Sequence, residues 1–210
     1  MIVKKLKKVV SKPLVHLACI MDGNRRWAIK NKFMVWHGHR EGIQAAKNVM
    51  DFCLEKNISL LSLYTFSLEN FNRSEEEKKY FFRLFVEEAF AKENEGEFIK
   101  KKVKIRFVGD LSRFPEDVKA ACKELEQKTA GLDMLQVNLL FGYGGRQEII
   151  DGVNKVISKI KTKELSLDKL TPDLFKKFLW TGDIPDPDLI IRTGGMQRLS
   201  NFFPYQSVYS

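Results

Sequence analysis

Short apolar runs alternate along the chain with longer stretches in which apolar residues recur every three or four positions. Five runs read as buried strands: VHLACIM (15–21), LLSLYTF (60–66), VKIRFVG (103–109), LQVNLLF (135–141) and DLIIRT (188–193). Each is short and rich in β-branched or aromatic residues. The stretches between them, roughly 40–56, 74–100, 115–129, 144–161 and 171–180, carry the helical repeat, and several open on Ser, Thr or Gly where a cap belongs. Strands alternating with helices predict an α/β fold with a mostly parallel central sheet flanked by helices. No repeat or low-complexity linker interrupts the pattern, and 210 residues are enough for one substantial core, so a single domain over 1–210 is expected.

In sheets of this kind ligands gather beyond the carboxyl ends of the strands. Four of the five ends carry polar, glycine-rich sequence. The first is followed by Asp22, Gly23, Asn24, Arg25, Arg26 and Trp27, and the second by Ser67, Glu69, Asn70 and Arg73; GYGGRQE (142–148) follows the fourth and RTGGMQRLSN (192–201) the fifth. Any one of these is also what an ordinary turn looks like, but their recurrence at equivalent positions singles out this edge of the sheet.

The segment MDGNRRWA (21–28) is the most informative. An aspartate at a strand end can supply an oxygen ligand to a divalent cation, and a glycine lets backbone N–H groups approach an anion at the start of the following helix. Arg25 and Arg26 add forked, charge-assisted hydrogen bonds to phosphate oxygens. Together they read as a metal-assisted diphosphate site; the plainer alternative is a capping Asp22 with solvated arginines. A Walker loop is excluded, because no G-x-x-x-x-G-K-[ST] occurs.

Charge narrows the partner. With 36 Lys and Arg against 27 Asp and Glu, the net +9 calls for a negative one: phosphates, nucleic acid or an anionic membrane surface. Basic residues are not interleaved with stacking aromatics, which argues against nucleic acid. Cys19, Cys53 and Cys122 form neither a disulfide framework nor a zinc pattern, and His37 and His39 lack further ligands nearby in the sequence. The amino-terminal MIVKKLKKVVSK has no signal-peptide core, and no run approaches the ~20 apolar residues of a membrane span. A soluble cytoplasmic protein is expected, with peripheral membrane contact through the basic terminus or Lys100–Lys102 as a secondary reading. Phe81, Phe82, Phe85 and Phe90 lie at helical spacing and read equally as a core face or as the wall of a cavity.

From His16 onward the chain resembles the cis-prenyltransferases, the family of undecaprenyl diphosphate synthase. The resemblance is carried by HLACIMDGNRRWA (16–28), HGHREG (37–42), LYTFSLENFNRSEEE (63–77), VGDLSRFP (108–115), GYGGRQEI (142–149) and PDPDLIIRTGGMQRLSNF (185–202), in the family's order. It implies a homodimeric α/β enzyme with an apolar tunnel for the prenyl chain. An allylic diphosphate such as farnesyl diphosphate would be extended by isopentenyl diphosphate units with cis geometry, giving a precursor of a glycosyl carrier lipid. It further implies that Asp22 acts with Mg2+ at the diphosphates, and that Gly23, Asn24, Arg25 and Arg26 hold the allylic diphosphate with His39 and Trp27 close by. Asn70 is implied in proton removal, where an amide is too weak a base to do more than position. Ser67, Leu68, Glu69 and Phe71 belong to the implied substrate-binding set, and Arg73, Arg192, Arg198, Leu199 and Ser200 to the isopentenyl diphosphate side.

Two departures stand out. Val35 occupies a position where the family usually has arginine, and a metal-binding glutamate is expected immediately after Ser210, so the chain is expected to lack the family's carboxyl-terminal end. The rival within the resemblance is a non-catalytic subunit of a two-component prenyltransferase. Such a subunit would lose the acid and arginine motifs, whereas Asp22, Arg26, Arg192 and Arg198 are all present.

Overall fold

The computed structural model describes residues 13–210; the basic amino-terminal segment, and the membrane contact expected of it, lie outside the described residues. The five strands are β1 (His16–Ile20), β2 (Leu60–Ser67), β3 (Val103–Val108), β4 (Leu135–Tyr143) and β5 (Leu189–Arg192). They form one sheet in the order β3–β4–β2–β1–β5, and every ladder is parallel. Parallel neighbours need crossovers, and helices supply them: α1 (Asn24–Lys30) and α2 (Val35–Glu55), then α3 (Glu75–Phe90) and α4 (Lys92–Lys100), then α5 (Glu116–Thr129), then α6 (Gly145–Lys161) and α7 (Pro172–Lys176). Among the described residues no helix is long and apolar enough to cross a membrane.

Both faces of the sheet are covered, which is why the strands read as nearly continuous apolar runs. On one face Leu61, Leu63, Phe66, Val137 and Phe141 meet apolar residues of α2, α3 and α5. On the other, Ile20, Tyr64, Leu140 and Tyr143 pack against Ile184, Phe202 and Phe203 near the end of the chain. The inside-outside alternation of β2 breaks at Thr65: the register to β4 shifts between Tyr64 and Phe66, and Phe66 turns onto the same face as Leu61 and Leu63. There its ring meets Phe71, Phe81 and Phe114 at 5.0–5.4 Å between centroids.

Helix bounds differ from the sequence expectation in instructive ways. The 74–100 stretch is two helices, broken at Ala91 (φ −65°, ψ 116°). α2 starts at Val35, five residues early, through a segment whose glycine and β-branched valine argue against helix; close packing on α1 overrides that weak preference. Cys19, Cys53 and Cys122 are buried free thiols.

Candidate active site

β1 ends at Ile20, and the chain turns through Asp22 and Gly23 into α1. Gly23 has φ 104°, and a Cβ there would sit 3.2 Å from the Cα of Gly194, so two glycines let the loops after β1 and β5 touch. A second close approach fixes Asn24. Gly38 and Gly42, one turn apart on α2, present a surface without side chains; a Cβ on Gly38 would lie 2.2 Å from the Asn24 carbonyl oxygen, and one on Gly42 2.5 Å from its amide. HGHREG is thus the seat on which the start of α1 rests.

The Asp22 carboxylate is the centre of the first charge cluster. Its Oδ2 accepts from Arg192 Nη2 at 2.8 Å and Nε at 3.2 Å and lies 3.2 Å from Arg26 Nη2, while Oδ1 accepts the Gly23 N–H at 2.7 Å. Partial burial raises its pKa, but the hydrogen bonds from Arg192, Gly23 and Arg26 outweigh it, and the carboxyl titrates below the usual range. Arg192 also donates through Nη1 to the Arg198 carbonyl and, at 2.8 Å, to Ser200 Oγ. It therefore ties the loop carrying Arg198, Leu199 and Ser200 to the end of β1.

A second cluster faces it. Glu77, in the first turn of α3, gathers Arg73 at 3.2 Å, His39 at 3.3 Å and Arg25 at 3.6 Å. His39 is buried, with its ring edge-on to Phe81, and burial together with the nearby Arg73 lowers its pKa despite Glu77. Glu77 was missed from sequence because Ser74-x-x-Glu77 has the form of a capping box. Ser74 Oγ does accept the Glu77 N–H at 3.3 Å, but the Glu77 carboxylate serves the three basic side chains. The signal available was Arg73, a basic side chain just ahead of the Ser74 cap and within reach of the first turn of α3.

The clusters meet at the mouth of a cavity of about 570 Å³ between the sheet, α2 and α3. Asp22, Gly23, Asn24, Arg25, Arg26, His39 and Arg73 line its entrance, while Leu63, Phe81, Leu84, Phe85, Ile105 and Val137 are among the apolar residues of its depth. Phe81 and Phe85 are thus both core and cavity wall. α1 has only seven residues, so the positive charge at the mouth comes mainly from guanidinium groups.

Other expected site residues lie elsewhere. Trp27 is half-exposed and stacks near Phe33 at 5.8 Å, outside the cavity lining. Ser67 and Asn70 cap the 3-10 turn Leu68–Asn72 reciprocally, the Ser67 N–H reaching Asn70 Oδ1 at 3.1 Å. Glu69 accepts from Asn201 at 2.8 Å, linking this turn to the loop after β5. Leu68 is buried, and Phe71 packs against Phe66 and Phe114 at 5.0 Å beneath the Arg113 guanidinium at 4.4 Å. Both side chains are engaged in packing. Arg198 and Leu199 line a separate hollow beside β5.

Residues 20–210 match the family described as "Putative undecaprenyl diphosphate synthase". An isoprenyl transferase from Clostridium perfringens is 42% identical over 93% of this chain and 76% of its own length. The tritrans,polycis-undecaprenyl-diphosphate synthase (geranylgeranyl-diphosphate specific) of Methanopyrus kandleri is 41% identical over 93% of this chain and 72% of its own. The crystal structure of lavandulyl diphosphate synthase from Lavandula x intermedia in complex with dimethylallyl diphosphate superposes with a TM-score of 0.87 at 31% identity, covering 92% of this chain and 83% of that one. The chain belongs to the undecaprenyl diphosphate synthase family of prenyltransferases. The all-parallel sheet with flanking helices agrees with that membership. Within this family, a cationic mouth over an apolar cavity is the feature of this chain that bears on what it binds.

Proposed function

We propose that the chain joins isopentenyl diphosphate to an allylic diphosphate and repeats the reaction to build a cis-polyprenyl diphosphate. One observation carries the reading: arginines and a carboxylate ring the entrance to a cavity with apolar walls, and a prenyl diphosphate has a matching charged head and apolar tail. In the reaction the allylic C–O bond breaks with both electrons going to diphosphate, leaving a delocalised carbocation. The isopentenyl double bond attacks that carbon, and loss of a proton forms the new double bond. Arg25 and Arg26 are assigned to the allylic diphosphate, and Arg73, Arg192 and Arg198, with Ser200, to isopentenyl diphosphate, where planar guanidinium forks suit phosphate oxygens. Apolar walls keep water from the cation. Asn70, whose carbonyl oxygen caps the turn after β2, is assigned to positioning, and a diphosphate oxygen or water takes the proton.

The residues fit Mg2+ as a partner of the substrate. Among the described residues no group of three or more His, Cys, Asp or Glu could cage an ion. Mg2+ commonly binds through one or two carboxylates plus phosphate oxygens, and Asp22 stands at the diphosphate end of the cavity. Bound there, Mg2+ supplies positive charge to the departing diphosphate. We also read the chain as half of a homodimer, supported by exposed Ile150, Val153 and Ile157 along one face of α6.

The decisive assay incubates the chain with labelled isopentenyl diphosphate and either farnesyl or geranylgeranyl diphosphate, with Mg2+ or with chelator. Labelled polyprenyl diphosphate is expected with at least one starter and only with Mg2+. No labelled lipid with either starter would overturn the reading.

A further inference from the structure

Below its mouth the cavity is apolar except along one seam. Thr65 lines it but is occupied by the Leu140 carbonyl at 3.0 Å; the other polar side chains there, among the described residues, are Lys47, Glu88 and Asn94. They come from the three helices that bound this side. His39, Gly42, Ala46, Lys47 and Met50 lie on one face of α2, running from the mouth to the floor. At 1.5 Å per residue, Lys47 is about 12 Å below His39, and Glu88 on α3 is about 16 Å below Glu77. Asn94 sits in the first turn of α4, just past the break at Ala91.

The three side chains satisfy one another. Lys47 Nζ donates to Asn94 Oδ1 at 2.7 Å and lies 3.3 Å from Glu88 Oε2. Asn94 Nδ2 donates at 2.9 Å both to the Glu88 carbonyl, left free where α3 ends, and to Glu88 Oε2. Asn94 is buried, but the Lys47 and Glu88 side chains are 25% and 33% exposed. All three line the cavity, and the exposed parts of Lys47 and Glu88 include surface that faces it. Here the wall of an otherwise apolar interior is a set of ion-paired and hydrogen-bonded groups.

Resting on the reading of the cavity as the seat of a prenyl chain, we propose that the Lys47–Glu88–Asn94 cluster is a length gauge that sets how long a product this chain makes. An apolar tail growing past the depth of α2 and α3 must press on this cluster. Going further removes water from a lysine and a glutamate without giving them new partners, or breaks the bonds joining them, and either is unfavourable. Growth that costs nothing against Leu84 or Phe85 is opposed here.

The test compares the unmodified chain with K47A/E88A, which removes both charges and shortens both side chains in the cavity wall, and with the exchange K47E/E88K, which preserves an ion pair. Products from labelled isopentenyl diphosphate are sized, and thermal unfolding verifies the fold. K47A/E88A should shift the distribution toward longer chains by one or more isoprene units, and K47E/E88K should keep the unmodified length. Unchanged or shorter products from K47A/E88A overturn the gauge, as does equal lengthening by the exchange. Should the alanine pair fail to fold, K47M/E88Q, which removes both charges at nearly constant volume, carries the same expectation in smaller degree. Binding of prenyl diphosphates of increasing tail length gives a readout without turnover: affinity should stop improving at a shorter tail for the unmodified chain than for K47A/E88A. If the unmodified chain neither makes polyprenyl products nor responds to tail length, the proposed function fails and the gauge with it. If it does both and the variants behave identically, the gauge alone fails.

Discussion

Asp22 is held ionised by its own neighbours. Its contacts with Arg192, Arg26 and the Gly23 N–H lower its pKa against the effect of burial, so with these contacts in place it carries its charge at neutral pH. Those same arginines are the groups proposed to bind diphosphate, and under that proposal binding would redistribute bonds already made. Asp22→Ala removes the carboxylate at the cavity mouth and should lower kcat by on the order of a thousandfold, with far-UV circular dichroism unchanged. Near-normal kcat at saturating Mg2+ would contradict that assignment. Glu77 acts on a neighbour in a way that can be read without turnover. Its carboxylate raises the His39 pKa while burial and Arg73 lower it, so Glu77→Gln should move the His39 titration, followed by NMR, to lower pH. A rise would mean that Glu77 does not face the imidazole in solution.

At the scale of elements, the crossing of α1 on α2 is the contact most sensitive to a single carbon. Gly38→Ala would drive a methyl to 2.2 Å from the Asn24 carbonyl oxygen, a backbone atom that cannot move alone, and should destabilise by about 1–3 kcal/mol or more. Gly96→Ala on α4 is the control: nothing lies within 4 Å of the new carbon, the site is helical and exposed, and about 0.5–1 kcal/mol of stabilisation is expected. Urea midpoints for the two variants should move in opposite directions, and movement the same way would show that the crossing is looser than its spacing. The strands were legible because burial on both faces leaves short unbroken apolar runs, and strand ends in a parallel sheet converge without further information. That convergence brought Asp22, Arg25, Arg26, His39 and Arg73 to one cavity mouth. The bulge at Thr65 was not legible, since a register shift between β2 and β4 depends on both strands, and neither was the break at Ala91, which sits in a sequence with ordinary helix formers on both sides. Glu77 sits in a capping pattern of which only the Ser74 half forms, its carboxylate turning instead to the basic side chains. Leu68 and Phe71 carry a motif resemblance, but only the packed structure shows their side chains turned into the protein.

Across the whole molecule, two buried histidines couple stability to pH. His16 lies at the amino end of β1, at the opposite end of the sheet from the cavity mouth. Its Nδ1 is 2.7 Å from the Pro185 carbonyl, which can only accept, so the proton is on Nδ1, and Nε2 accepts from the Ser62 hydroxyl at 2.8 Å. Asn138 donates to the same hydroxyl at 3.2 Å, so this polar chain crosses from β1 through β2 to β4. Protonating His16 would turn Nε2 into a donor and force Ser62 to reorient. Burial lowers its pKa although Pro185, Asp186 and Asp188 pull the other way, and burial with Arg73 lowers that of His39 against Glu77. In both cases the folded-state pKa lies below the unfolded one. As pH falls through about 6.5 the unfolded chain therefore binds protons that the folded chain resists, and stability drops. Each histidine should contribute a slope of up to about 1.4 kcal/mol per pH unit until its folded form also protonates. The depressed Asp22 carboxyl works in the same direction only at lower pH, below about 4, so the interval from about pH 6.5 to 5 belongs to the histidines. Urea unfolding across that interval should show midpoints falling with acidification, and His16→Gln should flatten the fall by the share of one proton. A midpoint that rises with acid, or a slope unaffected by His16→Gln, would mean that the His16–Ser62–Asn138 chain opens to water in solution and leaves His16 with an ordinary pKa.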